Sequence, residues 1–231
     1  MSSSLLYFVL SNAGVEKVFA IIKTINPLAF IGVIFIYIAS IYVSSIRWRL
    51  LLPEEFKGKR LFSFYLIGSF FNTFLPGIVG GDAVKAYYLY KETNKGSLSF
   101  ASVFMDRYIG FISLMTIALI SFAAGFKYVK GSLIEWLLPT IVLLFLIGSF
   151  AIFRLRLGKG IKALSEFYGY FSEYSSQKAM LIKTLMLSCA IQVMAILSMY
   201  IIALGLGQHI YLSYFFIFFP IIITISTLPI S

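Results

Sequence analysis

The C-terminal part of the chain carries no acidic or basic side chain: Asp, Glu, Lys and Arg are all absent from 184–231. A helix needs only about 20 consecutive apolar residues to cross the hydrocarbon core of a bilayer, so this stretch is long enough for two crossings. The whole chain is 60% apolar and 12% charged, compared with about 45–50% and about 25% in soluble domains. The sequence therefore predicts an all-α, polytopic integral membrane protein.

Uncharged runs predict where the helices cross. Spans are predicted at 28–46, 108–126, 136–153, 184–207 and 210–231, with a short or incomplete helix before Val15. Apolar residues at 157, 161, 164, 168 and 171 alternate with charged ones, which predicts an amphipathic helix in the membrane interface at 157–175. We treat 1–231 as a single transmembrane domain. Because it stops within the apolar run 227–231, we expect a further C-terminal part.

The run 61–81 either crosses the membrane or turns back as a re-entrant hairpin. If it turns back, 15 of the 19 Lys and Arg residues lie on one side of the membrane, whereas a crossing would divide them 12 to 7. The excess of positive charge in cytoplasmic loops therefore favours a re-entrant segment at 61–91. It also predicts a plasma-membrane protein whose motif loops and amphipathic helix face the cytoplasm.

The segment 68–110 holds the strongest functional signal. Its apolar run is broken at Pro76-Gly77 and again at Gly80-Gly81, and Asp82 and Lys85 follow at helical spacing. Backbone groups freed by Pro and Gly must find partners inside protein or beside water at membrane depth. This pattern is typical of a ligand pathway and unusual for a simple lipid-facing span.

Two aspartates lie in this segment, and each has two interpretations. Asp82 and Lys85, at i and i+3, can pair on one helical face, whereas Asp106 and Arg107 are adjacent and point apart. We predict a buried network in which Asp82 or Asp106 meets Arg107 and Lys85, because charge at membrane depth must be paired or face a cavity. The alternatives are that Asp82 caps a helix and that Asp106-Arg107 anchors the start of a span.

Arg47 and Trp48 close the span 28–46 and also have two interpretations. Arg47 contacts a phosphate, or the Arg-Trp pair anchors a helix end with Trp48 at the interface and the arginines just outside it. A second Leu-Pro pair at 228–229, preceded like Leu75-Pro76 by two polar residues, is either chance or an inverted repeat of the first broken segment.

Several classes of chemistry receive no support. Cys189 is the single cysteine and His209 the single histidine, so we predict no intrachain disulfide, metal site, cofactor or catalytic residue. The net charge of +10 lies mainly at span ends, where anionic lipid headgroups account for it. We therefore predict no nucleic-acid partner.

These motifs together resemble the transmembrane region of bacterial lysylphosphatidylglycerol synthases, a flippase-domain family that also occurs as stand-alone membrane proteins. The resemblance rests on Arg47-Trp48, Asn72, Leu75-Pro76-Gly77, Gly80-Gly81-Asp82 with Lys85, and Asp106-Arg107 with Gly110. Lys85 stands where the family more often has Arg, which keeps the charge but loses bidentate phosphate geometry. The family's later Gly-rich Arg-Glu motif and its aminoacyl-transfer domain are missing from this sequence.

The resemblance implies movement of a phosphate-containing lipid between leaflets. The substrate would be an aminoacylated phospholipid, another anionic phospholipid or a lipid-linked sugar. The implied substrate-binding residues are Arg47, Asn72, Pro76, Gly77, Gly80, Gly81, Asp82, Lys85, Asp106 and Arg107. Two other classes stay open: a membrane glycosyl- or aminoacyl-transferase with Asp82 or Asp106 as base, and a scaffold for a separate lipid synthase. Homo-oligomers or a partner synthase are compatible with each class.

Overall fold

A computed structural model describes residues 24, 26–52, 56, 58–74, 80–155 and 162–226. The short first helix before Val15, the residues Pro76 and Gly77, and the second Leu-Pro pair lie outside the described residues. Within them the regular elements are helices: α1 Pro27–Arg49, α2 Gly58–Phe74, α3 Gly80–Thr93, α4 Gly96–Val129, α5 Ile134–Leu155, α6 Lys162–Ser176, α7 Lys178–Gly205 and α8 Leu212–Ser226.

Four of these helices are long and apolar enough to cross a membrane, namely α1, α4, α5 and α7. They correspond to the predicted spans 28–46, 108–126, 136–153 and 184–207. α1 starts as its sequence requires, with Pro27 in the first turn and the Asn26 side chain accepting a hydrogen bond from the Leu28 N–H at 2.9 Å. The prediction of a polytopic helical membrane protein is confirmed.

The long helices alternate in direction and give the bundle two distinct ends. α1 and α7 are antiparallel: the N–H of Asn26 donates to the carbonyl of Gly205 at 3.0 Å, and further along Arg47 bonds Ser188. We call the end where α1 finishes the basic end, since Arg49, Lys59, Lys95, Arg154 and Lys178 lie at helix termini there. The opposite end is where α4 finishes, at Val129.

α2 and α3 form an antiparallel helical hairpin that starts and finishes at the basic end. Arg60 pairs with Glu92 at 3.0 Å, and the rings of Phe64 and Tyr88 stack at 5.4 Å. The two helices approach closely at Gly68, where an added Cβ would lie 2.9 Å from the carbonyl oxygen of Gly81. This is the arrangement that a re-entrant segment at 61–91 requires, and its depth in the bilayer stays a prediction.

α4 is longer than predicted. The sequence suggested a span that begins at Tyr108, but one unbroken helix runs from Gly96 through Asp106 and Arg107. Its first turns are apolar and sit against α3 and α6, and the two charged residues have partners inside the bundle. The interpretation of Asp106-Arg107 as an interfacial anchor is therefore wrong.

α8 is a half-length helix that runs antiparallel to α4 from the opposite end. Tyr128 meets Tyr214 near that end, and Ile221 packs against Ala118 nearer the middle of α4. Of the predicted span 210–231, the structure describes α8 as far as Ser226, and residues 227–231 lie outside the described residues. Ile221 of α8 thus lies beside the central part of α4.

Pro220 lies inside α8 and cannot donate to the carbonyl of Phe216, four residues earlier. The hydroxyl of Ser121 on α4 donates to that carbonyl at 2.6 Å. A neighbouring hydroxyl commonly satisfies a backbone group that proline frees in a membrane helix. This bond also fixes the register of α8 along α4.

α6 covers residues 162–175 of the predicted amphipathic segment, whose place in the membrane interface stays a prediction. Phe167, Tyr168 and Tyr174 are buried, whereas Glu166 and Glu173 are exposed. The hydroxyl of Tyr174 donates to the carbonyl of Leu51 at 2.9 Å. Burial raises the pKa of the Tyr174 phenol, so it remains a donor at neutral pH. α6 is thereby tied to the basic end of α1.

Candidate functional site

Charged and polar side chains from five helices meet inside the bundle. We call this group the charge cluster: Arg47 of α1, Tyr65 of α2, Asp82 and Lys85 of α3, Asp106 and Arg107 of α4, and Ser188 of α7. The hairpin supplies three of the seven residues. Its antiparallel packing brings Lys85 beside Gly68, one turn from Tyr65.

Asp106 is the centre of the cluster and is fully buried. Its Oδ1 accepts from Nε of Arg47 at 2.8 Å, and its Oδ2 accepts from the hydroxyl of Tyr65 at 2.5 Å. Arg47 in turn donates through Nη1 to Ser188 at 2.8 Å. A buried carboxylate is stable only when it is paired and hydrogen-bonded, and both conditions hold here.

Lys85 lies between the two carboxylates. Its Nζ is 2.8 Å from Oδ1 of Asp82 and 3.7 Å from Oδ2 of Asp106, and its side chain is only 3% exposed. The ammonium also lies 4.0 Å from the centre of the Tyr65 ring, which adds a cation–π contact. Lys85 therefore joins the Asp82 pair to the Asp106 pair.

Arg107 forms the open edge of the cluster. Its Nε donates to Oδ2 of Asp82, and its side chain is 37% exposed, compared with 8% for Arg47. Beside it lies a groove of about 330 Å³ between α3 and α4, lined by Asp82, Arg107 and otherwise apolar side chains. The cluster is accessible from this groove.

The cluster carries one more positive than negative charge. Arg47, Lys85 and Arg107 face two carboxylates, those of Asp82 and Asp106. An unbalanced charge inside a bundle is costly unless an anion or water compensates it. The arrangement can therefore bind a monoanion, and Arg107 is the cation that such a group reaches from the groove.

The motif residues before Asp82 have structural roles. The side-chain oxygen of Asn72 accepts from the N–H of Gly81 at 2.8 Å, so it serves the first turn of α3. A Cβ on Gly81 would collide with the carbonyl of Gly68 and with Asn72. Gly80 begins α3. Whether Asn72, Gly80 and Gly81 also contact a ligand stays a prediction.

The predicted network is present, with a wider membership than expected. The structure brings together Asp82, Lys85 and Arg107, and it adds the pair of Asp106 with Arg47. Asp106 and Arg107 indeed point to different partners, as adjacent helical residues must.

The interpretation of Arg47 and Trp48 as an interfacial anchor is wrong. Trp48 is completely buried, and its indole N–H donates to the hydroxyl of Ser102 at 3.3 Å. Arg47 is likewise buried within the cluster, and it is Arg49 that is exposed at the helix end. Tyr65 of α2, Lys85 of α3 and Ser102 of α4 contact the tryptophan, and a hydropathy pattern does not reveal such contacts.

Sequence reasoning missed Tyr65 and Ser188. Tyr65, Gly68 and Asn72 are spaced by three and four residues, so they share the face of α2 that meets α3. That spacing could have identified Tyr65. Ser188 follows Thr184 by four residues in an apolar span, which marks a polar stripe but no particular partner.

The fold and the cluster define a multi-pass helical membrane protein with an ion-pair network inside its bundle. A family model described as the lysylphosphatidylglycerol synthase TM region matches residues 1–231, and the chain belongs to that family. The resemblance drawn from the motifs is thus confirmed, and it relates the chain to the membrane proteins of lipid synthesis. A search of curated proteins and a search of solved structures found no match.

Proposed function

We propose that this protein binds the phosphate of a membrane lipid at the charge cluster and moves that lipid between leaflets. The observation that carries the proposal is the surplus cation of the cluster, Arg107, at the edge of an apolar groove. A phospholipid joins an anionic phosphate to hydrocarbon, and this juxtaposition matches both parts. The substrate class is an anionic or aminoacylated phospholipid, or a lipid-linked sugar.

The composition of the cluster supports a phosphate ligand. A phosphodiester carries a single negative charge, which would balance the surplus charge of the cluster. Arg presents a planar fork of donors that suits phosphate oxygens, whereas Lys is a point charge. Arg107 is therefore the natural phosphate contact, and Lys85 neutralises the carboxylates behind it.

The pairing of both aspartates favours transport over a transferase reaction. A general base needs a lone pair near the substrate and an elevated affinity for protons. Asp106 is fully buried and accepts bonds from Arg47 and Tyr65, and Asp82 faces Lys85 and Arg107. Because Arg47 and Tyr65 engage the oxygens of Asp106, and Lys85 and Arg107 engage those of Asp82, both carboxylates are poorly placed to take a proton from a substrate.

A leaflet assay in liposomes tests the proposal. Fluorescent phosphatidylglycerol in the outer leaflet is quenched chemically, and the fraction protected over time reports movement. We expect the protein to accelerate movement and Arg107→Gln to abolish the acceleration. Lys130→Gln, which removes a cation at the opposite end, is the matched control and should move lipid normally. No acceleration for phosphatidylglycerol, its lysyl ester or a lipid-linked sugar would refute the proposal.

A further inference from the structure

The groove between α3 and α4 opens to the outside of the bundle. Its α4 wall includes Phe100, Phe104 and Phe111, and its α3 wall includes the exposed Ala83. Small residues on one wall and aromatic rings on the other enclose a volume of about 330 Å³. The polar groups on its lining are Asp82 and Arg107.

The three cations of the cluster are held differently. Arg47 and Lys85 are buried, and Lys85 is within 4 Å of both carboxylates. Arg107 pairs with Asp82 at the edge of the cluster, its side chain is 37% exposed, and it lines the groove. Arg107 is the cation that can change partner with the least rearrangement.

Asp82 can lose its ion pair with Arg107 and still remain paired with a cation. Its Oδ2 accepts from Arg107, but its Oδ1 has a second cation, Lys85, at 2.8 Å. If Arg107 turned to another anion, Asp82 would still be paired. A buried carboxylate with one cation would instead be stranded by such a change, at considerable cost.

We infer that one hydrocarbon chain of a phosphodiester lipid lies in the groove between α3 and α4, and that its phosphate displaces Asp82 from Arg107 while Lys85 retains Asp82. The inference rests on the proposed function and specifies how its site is loaded. In the ligand-free protein Asp82 occupies the place of the phosphate. Loading is therefore an exchange of one anion for another on Arg107, so little charge is exposed at any stage.

This exchange makes an unusual prediction for Asp82→Asn. The substitution removes the anion that competes with the phosphate for Arg107, so phospholipid should bind more tightly. If the Asp82 carboxylate instead contacted the ligand directly, its removal would weaken binding. It should also slow lipid release, because the carboxylate that recaptures Arg107 is gone. Tighter binding with slower movement is the expected combination.

A fluorescence-quenching experiment measures the binding step. The full chain in detergent carries Phe104→Trp as a reporter in the groove, with Trp136→Phe to remove an exposed tryptophan. The probe is phosphatidylglycerol with brominated acyl chains, and diacylglycerol with the same chains is the comparison without phosphate. We expect phosphatidylglycerol to quench at about tenfold lower concentration than diacylglycerol.

Variants then assign the roles. Arg107→Gln should bring phosphatidylglycerol down to the diacylglycerol level, and Asp82→Asn should tighten phosphatidylglycerol by about tenfold without changing diacylglycerol. Ala83→Phe should fill the groove and remove quenching by both lipids. Ala123→Phe, the same change at an exposed α4 residue distant from the groove, should have no effect.

The outcomes separate this inference from the proposed function. Unchanged or weaker phosphatidylglycerol binding in Asp82→Asn would overturn the exchange, and equal quenching by the two lipids would overturn the phosphate contact. Melting temperatures in detergent, compared with the parent, show whether a weaker variant is merely unfolded. Lipid that binds as described but never changes leaflet refutes transport alone, and transport with unaltered binding in Asp82→Asn refutes the exchange alone.

Discussion

The α2–α3 hairpin and α8 are the two half-length elements beside α4, and they differ in what they bring to it. Backbone packing is close in both places: an added Cβ at Gly81 would meet α2 within the hairpin, and one at Gly125 of α4 would meet Ile217 of α8. The hairpin contributes charged side chains: Asp82 pairs with Arg107 of α4, and Lys85 lies near Asp106 of α4. α8 contributes a backbone carbonyl, which accepts a hydrogen bond from Ser121 of α4.

Among the described residues, the ion pairs of α4 with other helices lie in the half of α4 near the basic end. The half near the opposite end contacts α8 through aromatic rings and through the hydroxyl of Ser121. A phosphate would be bound strongly in the first half and weakly in the second. Such an asymmetry suits a site that loads a lipid from one side and releases it toward the other.

The comparison depends most on whether the α2–α3 hairpin and α8 enter the bundle from opposite sides of the membrane. Single cysteines replace Lys57, Lys95 and Lys130 in a Cys189→Ser background and are labelled with an impermeant maleimide in whole cells. We expect Lys130→Cys to label from outside, and the other two to label only after lysis, because the positive-inside rule places the basic end in the cytoplasm. Opposite accessibility of positions 57 and 95 would show that the α2–α3 segment spans the membrane.

Asp106→Asn should cause the largest loss of stability. It strands Arg47 in the bundle and weakens the hold on Lys85, and breaking a buried pair costs about 3–5 kcal/mol. Thermal unfolding in detergent measures this loss, with Glu173→Gln on the exposed face of α6 as control. A melting temperature equal to that of the control would mean that the cluster adds nothing to stability.

Gly81→Ala and Gly125→Ala compare the two contacts directly. The new methyl group at 81 meets the backbone carbonyl of Gly68, which cannot move without shifting α2, whereas the one at 125 meets the side chain of Ile217. We expect losses of about 3 and about 1 kcal/mol, respectively. Gly148→Ala, which has open space around it, should be neutral or slightly stabilising. Equal losses at 81 and 125 would contradict the comparison.

Asp82→Asn should cost less than Asp106→Asn, about 2 kcal/mol, because Arg107 can turn to the groove. Adding Lys85→Gln should recover part of that loss, since the double variant no longer leaves Lys85 without its nearest carboxylate. In the leaflet assay Asp82→Asn should move lipid more slowly than the parent, and adding Lys85→Gln should not restore the rate. Full activity and normal melting in Asp82→Asn would remove Asp82 from the site.

Ser121→Ala should have a local effect, on the packing of α8 against α4. It removes the donor for the Phe216 carbonyl that Pro220 leaves unpaired, at a cost of about 1–3 kcal/mol for an unsatisfied buried acceptor. Adding Pro220→Ala should restore stability, because the helix can then satisfy that carbonyl itself. Ser198→Ala, whose hydroxyl bonds only within its own helix, is the control. Without rescue by the second change, the role assigned to Ser121 would be wrong.

The sequence predicted most of the helices and half of the site. Long uncharged runs locate the spans because lipid demands them, and Asp82 with Lys85 is a local pair that spacing alone reveals. The pair of Arg47 with Asp106 joins residues 59 apart. Only the packing of helices brings such residues together. Contacts between distant helices leave no periodic pattern in a single sequence, so they could not be predicted from it.

The same limitation explains the two errors. Asp106 and Arg107 resembled an interfacial anchor at the start of a span because unpaired charge is costly inside a bilayer. In the structure each of them has an ion-pair partner on another helix. Trp48 resembled an interfacial anchor, but it is completely buried and contacts α2, α3 and α4. In both cases tertiary contacts place the side chain in the protein interior and not among lipid headgroups.

The order of the ion pairs along the chain has a consequence for biosynthesis. Insertion of one charged residue at the centre of a membrane helix costs about 2.5–3.5 kcal/mol. The ion-pair partners of Asp106 and Arg107 in α4 lie earlier in the sequence, on α1 or α3. When α4 leaves the ribosome, this adjacent Asp and Arg find counter-ions already made. The helices from α1 to α4 can therefore enter the membrane with both carboxylates of the cluster already paired, and α7 later adds the hydroxyl of Ser188.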